Sequence, residues 1–91
     1  MYGLEEQDWQ IVRDVLKKSD VTRAILFGSR AKGDYRQGSD VDLAIVGDER
    51  WVSYMLNEET PLPYYFDVIH LEKITNDALR RHIERVGKTI L

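Results

Sequence analysis

Three aspartates stand in apolar company. Asp40 and Asp42 flank Val41 at the head of the run Val41–Val46, and Asp67 interrupts the run Tyr64–Leu71. A carboxylate inside an apolar strand gives up hydration that only a hydrogen bond, a counter-charge or a metal returns. Residues two apart on a strand point to one face, so Asp40 and Asp42 project together with Cα atoms roughly 6.5–7 Å apart. If Asp67 reaches the same face, three anions converge, and at ~5 Å and an effective dielectric of ~20 each pair repels by about 3 kcal/mol. Such a group protonates, splays apart or takes up a cation. Oxygen donors alone, in a chain without cysteine and with no histidine close by, select a hard ion, Mg²⁺ or Mn²⁺. Two such ions ~3.5–4 Å apart are suited to in-line phosphoryl displacement.

A second group precedes the acids. Gly28-Ser29 follows the short apolar run Thr22–Phe27. A glycine there lets backbone come close to a ligand. Ser29 then offers a hydroxyl and a backbone N–H at the start of a helical turn, a seat for phosphate. Arg30 and Lys32 bring positive charge nearby, and Gly33 and Gly38 let the loop turn back. A phosphate seat beside an acid cluster that binds metal is what a nucleoside triphosphate requires.

The flanking segments supply the frame. Leu4–Lys18 places Trp9, Val12, Val15 and Leu16 at helical spacing, with acids early and Lys17-Lys18 late, in the sense the helix dipole favours. Thr22–Phe27 and Val41–Val46 read as buried strands. The dozen or so residues between them are near the minimum for a parallel crossover, so an antiparallel pairing is expected. Asp48–Glu59 reads as a short helix presenting Trp51, Met55 and Leu56, ended by Pro61 and Pro63. Tyr64–Leu71 is the third strand, and Ile74–Val86 a closing helix with Ile74, Leu79, Ile83 and Val86 buried and Gly87 as its stop. The order α-β-turn-β-α-β-α gives an α+β fold, a three-stranded sheet packed with helices over residues 1–91 as one domain.

Gly28-Ser29, ten intervening residues and Asp40-Val41-Asp42 resemble the signature of the DNA polymerase β-like nucleotidyltransferases. The fuller string GSRAKG…SDVDLAI is similar to the minimal nucleotidyltransferases (MNT), which include the MntA-type antitoxins. Asp67 in Phe66-Asp67-Val68-Ile69 matches the family's third acid, and Ile83–Gly87 resembles its terminal helix. The resemblance implies a polymerase β-like nucleotidyltransferase fold with a mixed sheet in the order 1-2-3. It implies that Asp40 and Asp42 bridge two Mg²⁺ ions (Mn²⁺ as the alternative), and that Asp67 binds one metal and helps to deprotonate the acceptor. Gly28 and Ser29 would hold the triphosphate, with Arg30, Lys32 and Ser39 placed beside them as nucleotide-binding residues. ATP as substrate and AMP as the transferred group follow from the same resemblance.

The family further implies a second polypeptide, because 91 residues leave little to cover a nucleotide and an acceptor together. That partner is expected to be a small helical protein, either a HEPN-type toxin adenylylated on tyrosine, with this chain as antitoxin, or a helical substrate-binding subunit. Transfer to a small molecule within a two-chain enzyme, and a non-catalytic nucleotide-binding subunit that blocks its partner sterically, are the alternatives. Three intact acids favour the catalytic readings.

Composition sets the outer limits. With 13 Lys+Arg against 16 Asp+Glu and a net charge of -3, bulk electrostatic capture of nucleic acid is not expected. No stretch approaches the ~18 consecutive apolar residues of a membrane span, and the start lacks the order of a secretory signal, so a cytoplasmic location is expected. Plainer roles fit several residues. Trp9, Trp51 and Phe66 read as core, His82 and the Arg80-Arg81…Arg85 run as a solvated helix face, and His70, three beyond Asp67, as facing away from the acids.

Overall fold

The computed structural model describes residues 1–91. Helix α1 (Glu6–Lys18) leads into β1 (Arg23–Phe27), a one-turn helix α2 (Gly28–Lys32) and β2 (Val41–Val46). Helix α3 (Glu49–Glu58), β3 (Phe66–His70), a 3₁₀ turn (Leu71–Lys73), α4 (Asp77–Val86) and a two-residue strand β4 (Lys88–Thr89) complete the chain. The sheet order is β3-β2-β1-β4. β1 is antiparallel to β2 and to β4, while β2 and β3 are parallel. The expected mixed sheet, order 1-2-3 and antiparallel first pair are all present, but the sheet has four strands rather than three. Beyond Gly87 the chain turns back onto the free edge of β1, pairing Ile25 with Thr89 and Leu26 with Lys88. Ala24 and Ile90–Leu91 extend the exchange of backbone hydrogen bonds.

Strand alternation divides the side chains between two layers. Ala24 and Leu26, Val41, Leu43 and Ile45, and Phe66 face α1 and α3, where Trp9, Val12, Leu16, Val52 and Leu56 complete the larger core. Ile25, Phe27 and Ala44 face the other way and pack with Ile74 and Ile83. Asp42 belongs to this second face, in line with Ala44. The smaller layer therefore covers one end of the sheet and leaves the acids at the other.

Helix phase moves one expected core residue to the surface. Asp48 caps α3 by accepting the Trp51 N–H at 3.1 Å, and the helix then buries Val52 and Leu56, a pair four residues apart. Trp51 is rotated off that stripe and is 50% exposed, stacked on Tyr54 at 5.8 Å. Helix α4 begins at Asp77 rather than Ile74 because Asn76 caps it, accepting the Leu79 N–H at 3.0 Å. No helix is long and apolar enough to cross a membrane.

Candidate active site

Strand register brings the acids together. Phe27 stands opposite Asp42, and Asp42 opposite Asp67. Directly paired residues share a face, so Asp67 lies beside Asp42, and Asp40, two residues before Asp42, lies on the same side where the chain enters β2. Asp40 and Asp67 are exposed, whereas Asp42 is half-buried between them. Burial first, and then the charges of Asp67 and Asp40, push the Asp42 carboxyl up from 3.8 to about 6. The repulsion expected from the sequence thus adds to the effect of burial at Asp42.

β3 is an edge strand, and a side chain takes the place of its missing neighbour. Asn57 of α3 accepts the Phe66 N–H at 2.8 Å and donates to the Phe66 carbonyl at 2.9 Å. That two-point clamp satisfies both outward backbone groups of the residue before Asp67. Nothing in the sequence motif points to Asn57.

Gly28 leaves β1 with φ +72°, a conformation that a residue with a Cβ adopts only at a cost. A Cβ at this position would run into the Asp42 carboxylate at Oδ2. The glycine is therefore a close approach of backbone to carboxylate, and its bare Cα keeps space open beside the acid. The backbone enters α2 immediately. Ser29, half-buried, follows as the second residue of that helix. The helix ends at Gly33, which is left-handed at φ +92°.

Arg30 behaves differently from the expectation. Its side chain is not directed to an open phosphate seat; the residue is 1% exposed. The guanidinium donates to the carbonyls of Ser39 (2.8 and 3.1 Å), Tyr2 (2.9 Å) and Gln37 (3.4 Å). It also lies over the rings of Tyr35 and Tyr64 at 5.2 and 5.3 Å. No carboxylate pairs with it, so carbonyl dipoles and aromatic faces offset its desolvation. Arg30 ties down the loop from α2 to β2 and, through Ser39, the residue immediately before Asp40.

Ser39 is part of the same loop fastening, its hydroxyl accepting the Arg36 N–H at 2.8 Å. Lys32 pairs with Asp34 at 3.3 Å, both side chains well exposed, an arrangement that constrains neither strongly. Arg30→Lys is expected to cost about 2–3 kcal/mol, because an ammonium cannot reproduce the planar fork across three carbonyls. Urea unfolding would give that figure, and faster tryptic cleavage at Arg36 would report the loosened loop.

His82 also departs from expectation. It is half-buried rather than solvated, and its Nε2 accepts the Gly28 N–H at 3.1 Å. The imidazole meets Phe27 edge-on, with centroids 6.2 Å apart. The charged run around it in the sequence concealed this position, although its place one residue before the buried Ile83 was a signal. Arg80, Arg81 and Arg85 are exposed as expected.

Known proteins resemble this chain in sequence and in fold. A family model described as polymerase beta nucleotidyltransferase matches residues 10–91. Over 28 residues the chain is 57% identical to a Methanocaldococcus jannaschii protein bearing a protein adenylyltransferase name, a stretch covering 31% of this chain and 28% of that relative. The match thus spans little more than a quarter of the relative's length. Among solved structures, a toxin–antitoxin with AMP-PNP is similar at a TM-score of 0.72 and 20% identity, over 97% of this chain and 73% of that one. The toxin–antitoxin MntA–HepT gives 0.69 at 16% identity, over 96% and 72% respectively. At these identities the likeness to the solved structures is one of fold.

Proposed function

The chain belongs to the polymerase β nucleotidyltransferase family, and from that premise we propose that it transfers AMP from ATP to a tyrosine hydroxyl of a HEPN-type toxin, as the antitoxin of the pair. The observation that carries this reading is the register that sets Phe27, Asp42 and Asp67 side by side with the Gly28 turn laid against Asp42. The Gly28 turn and the acids lie together at one end of the sheet. Support for the partner comes from the fold: similar solved chains sit in toxin–antitoxin complexes, one of them with AMP-PNP.

The donor set fits a hard divalent ion. Asp40, Asp42 and Asp67 offer oxygen only, and Asp42 bears a charge disfavoured by burial and by its neighbours, a disfavour that a cation would offset. No three acidic or histidine side chains are drawn tightly enough to enclose an ion by themselves. Mg²⁺ suits such a site, since it takes one or two carboxylates and completes its shell with phosphate oxygens and water. With Asp40, Asp42 and Asp67 supplying one or two carboxylates to each ion, the metal would neutralise triphosphate charge and stabilise the departing pyrophosphate.

The chain's own groups perform the remaining tasks. Gly28 admits the triphosphate close to the backbone, and Ser29 donates its hydroxyl and backbone N–H to phosphate oxygens. Past Gly28, whose N–H is taken by His82, the N–H groups at the start of α2 have no carbonyl four residues back to meet. Asp67, exposed at the edge strand, takes the proton of the attacking hydroxyl. The acceptor oxygen bonds to the α-phosphorus as the bond to pyrophosphate breaks. Intact-mass measurement of the helical partner after incubation with this chain, ATP and Mg²⁺ tests the reading. Gain of whole AMP units, lost with Asp42→Asn, is the expected result; an unmodified partner in a stable complex would overturn protein adenylylation.

A further inference from the structure

We propose that His82 is a positioning residue for nucleotide binding: from α4 it holds the Gly28 amide and so fixes the turn on which the triphosphate rests. The inference builds on the transferase reading above. The Gly28 N–H opens α2 and has no intrahelical carbonyl to meet. Its partner is supplied 54 residues along the chain, by His82 Nε2 at 3.1 Å. Glycine occupies positive and negative φ with similar ease, so the sequence at Gly28 does not by itself hold φ at +72°. The hydrogen bond does. Its loss frees the Phe27–Gly28 peptide to rotate, and the Cα surface that now faces the Asp42 carboxylate turns with it.

The imidazole is itself well placed. Ile83 is buried with Ile25, Phe27 and Ile74, which fixes the phase of α4. The ring lies edge-on to Phe27, the residue paired with Asp42 across the sheet. An accepting Nε2 carries no proton, so the ring proton sits on Nδ1. One helix-borne side chain thus connects α4 to the end of β1 and to the Gly28 turn. It also occupies the Gly28 N–H, leaving phosphate to be met from Ser29 onward.

Two substitutions separate hydrogen bonding from packing. His82→Gln keeps an acceptor near the position of Nε2 and loses the ring; His82→Phe keeps the ring against Phe27 and loses the acceptor. Calorimetric titration with AMP-PNP and Mg²⁺ is expected to show Gln within about threefold of the native Kd and Phe weaker by about tenfold, the scale of one hydrogen bond. In ¹⁵N–¹H spectra the Gly28 amide is expected to shift in Phe and to stay near its native position in Gln. The reverse order, with Phe native-like and Gln weakened, would assign His82 to packing and overturn the inference. Equal affinities in both variants with an unmoved amide would do the same. If the native chain binds no AMP-PNP, the transferase reading and the nucleotide role of His82 fail together, and the Gly28 amide in His82→Phe decides only whether His82 holds the turn: a shift sustains that and no shift overturns it.

Discussion

Asp42→Asn is expected to make the protein inactive and, at pH 8, more stable. The native carboxyl titrates at about 6 rather than 3.8, through burial first and then the charges of Asp67 and Asp40. That displacement corresponds to about 3 kcal/mol of preference for the neutral form, which solvent reduces to about 1–2 kcal/mol for a side chain only half covered. The sign follows from linkage. A group whose folded pKa is raised binds more protons in the folded state, so its stabilisation is complete below 3.8 and is lost as pH rises through about 6. Above that range the native protein bears the full cost of the charge and the asparagine variant does not. The variant should melt about 5–10 °C higher at pH 8, with the difference closing toward pH 4. Nucleotide transfer should fall by at least on the order of 10²-fold, the scale for removing a group that meets developing charge. Melting curves at the two pH values check the first part and a transfer assay the second. A variant less stable than native at pH 8 would show that Asp42 is held by favourable contacts rather than against repulsion.

A carboxylate held where it weakens the fold is also what made the acids stand out in the sequence. Asp40, Asp42 and Asp67 break the local rule that strands like Val41–Val46 bury apolar side chains, and period-two alternation does the rest. The bounds of β2 and the antiparallel pairing with β1 follow from local pattern and loop length, and the structure has both. What escaped the sequence depends on distant partners. Arg30 has the same charge whether it meets phosphate or carbonyls; Tyr2, Gln37 and Ser39 decide which. β4 is only Lys88–Thr89, too short for any periodicity, and it exists because β1 has a free edge. His82 was hidden because its partner is a backbone amide, which no residue type announces. Trp51 needed the phase set by the Asp48 cap.

Gly28→Ala should be as damaging to transfer as the loss of Asp42, and it should also destabilise the fold by about 2–3 kcal/mol. Two costs add at this position. An L-residue at φ +72° loses about 1–2 kcal/mol relative to glycine. The new Cβ also meets Asp42 at Oδ2, with Cγ at 3.0 Å and Cβ at 3.3 Å, so the carboxylate must leave its place beside Asp67. Gly33 separates the two contributions. It too is left-handed, at φ +92°, but a Cβ there meets nothing within 4 Å. Gly33→Ala should therefore lose the backbone part alone, about 1–2 kcal/mol, and keep transfer. Adding Asp42→Ala to Gly28→Ala removes the obstructing carboxylate, so stability should recover by about 1 kcal/mol without any return of activity. That non-additivity would measure the contact directly. Urea unfolding of these three variants and of Asp42→Ala alone supplies the test. If Gly28→Ala and Gly33→Ala lose the same stability and both keep transfer, the close approach of Gly28 to Asp42 is no part of the site.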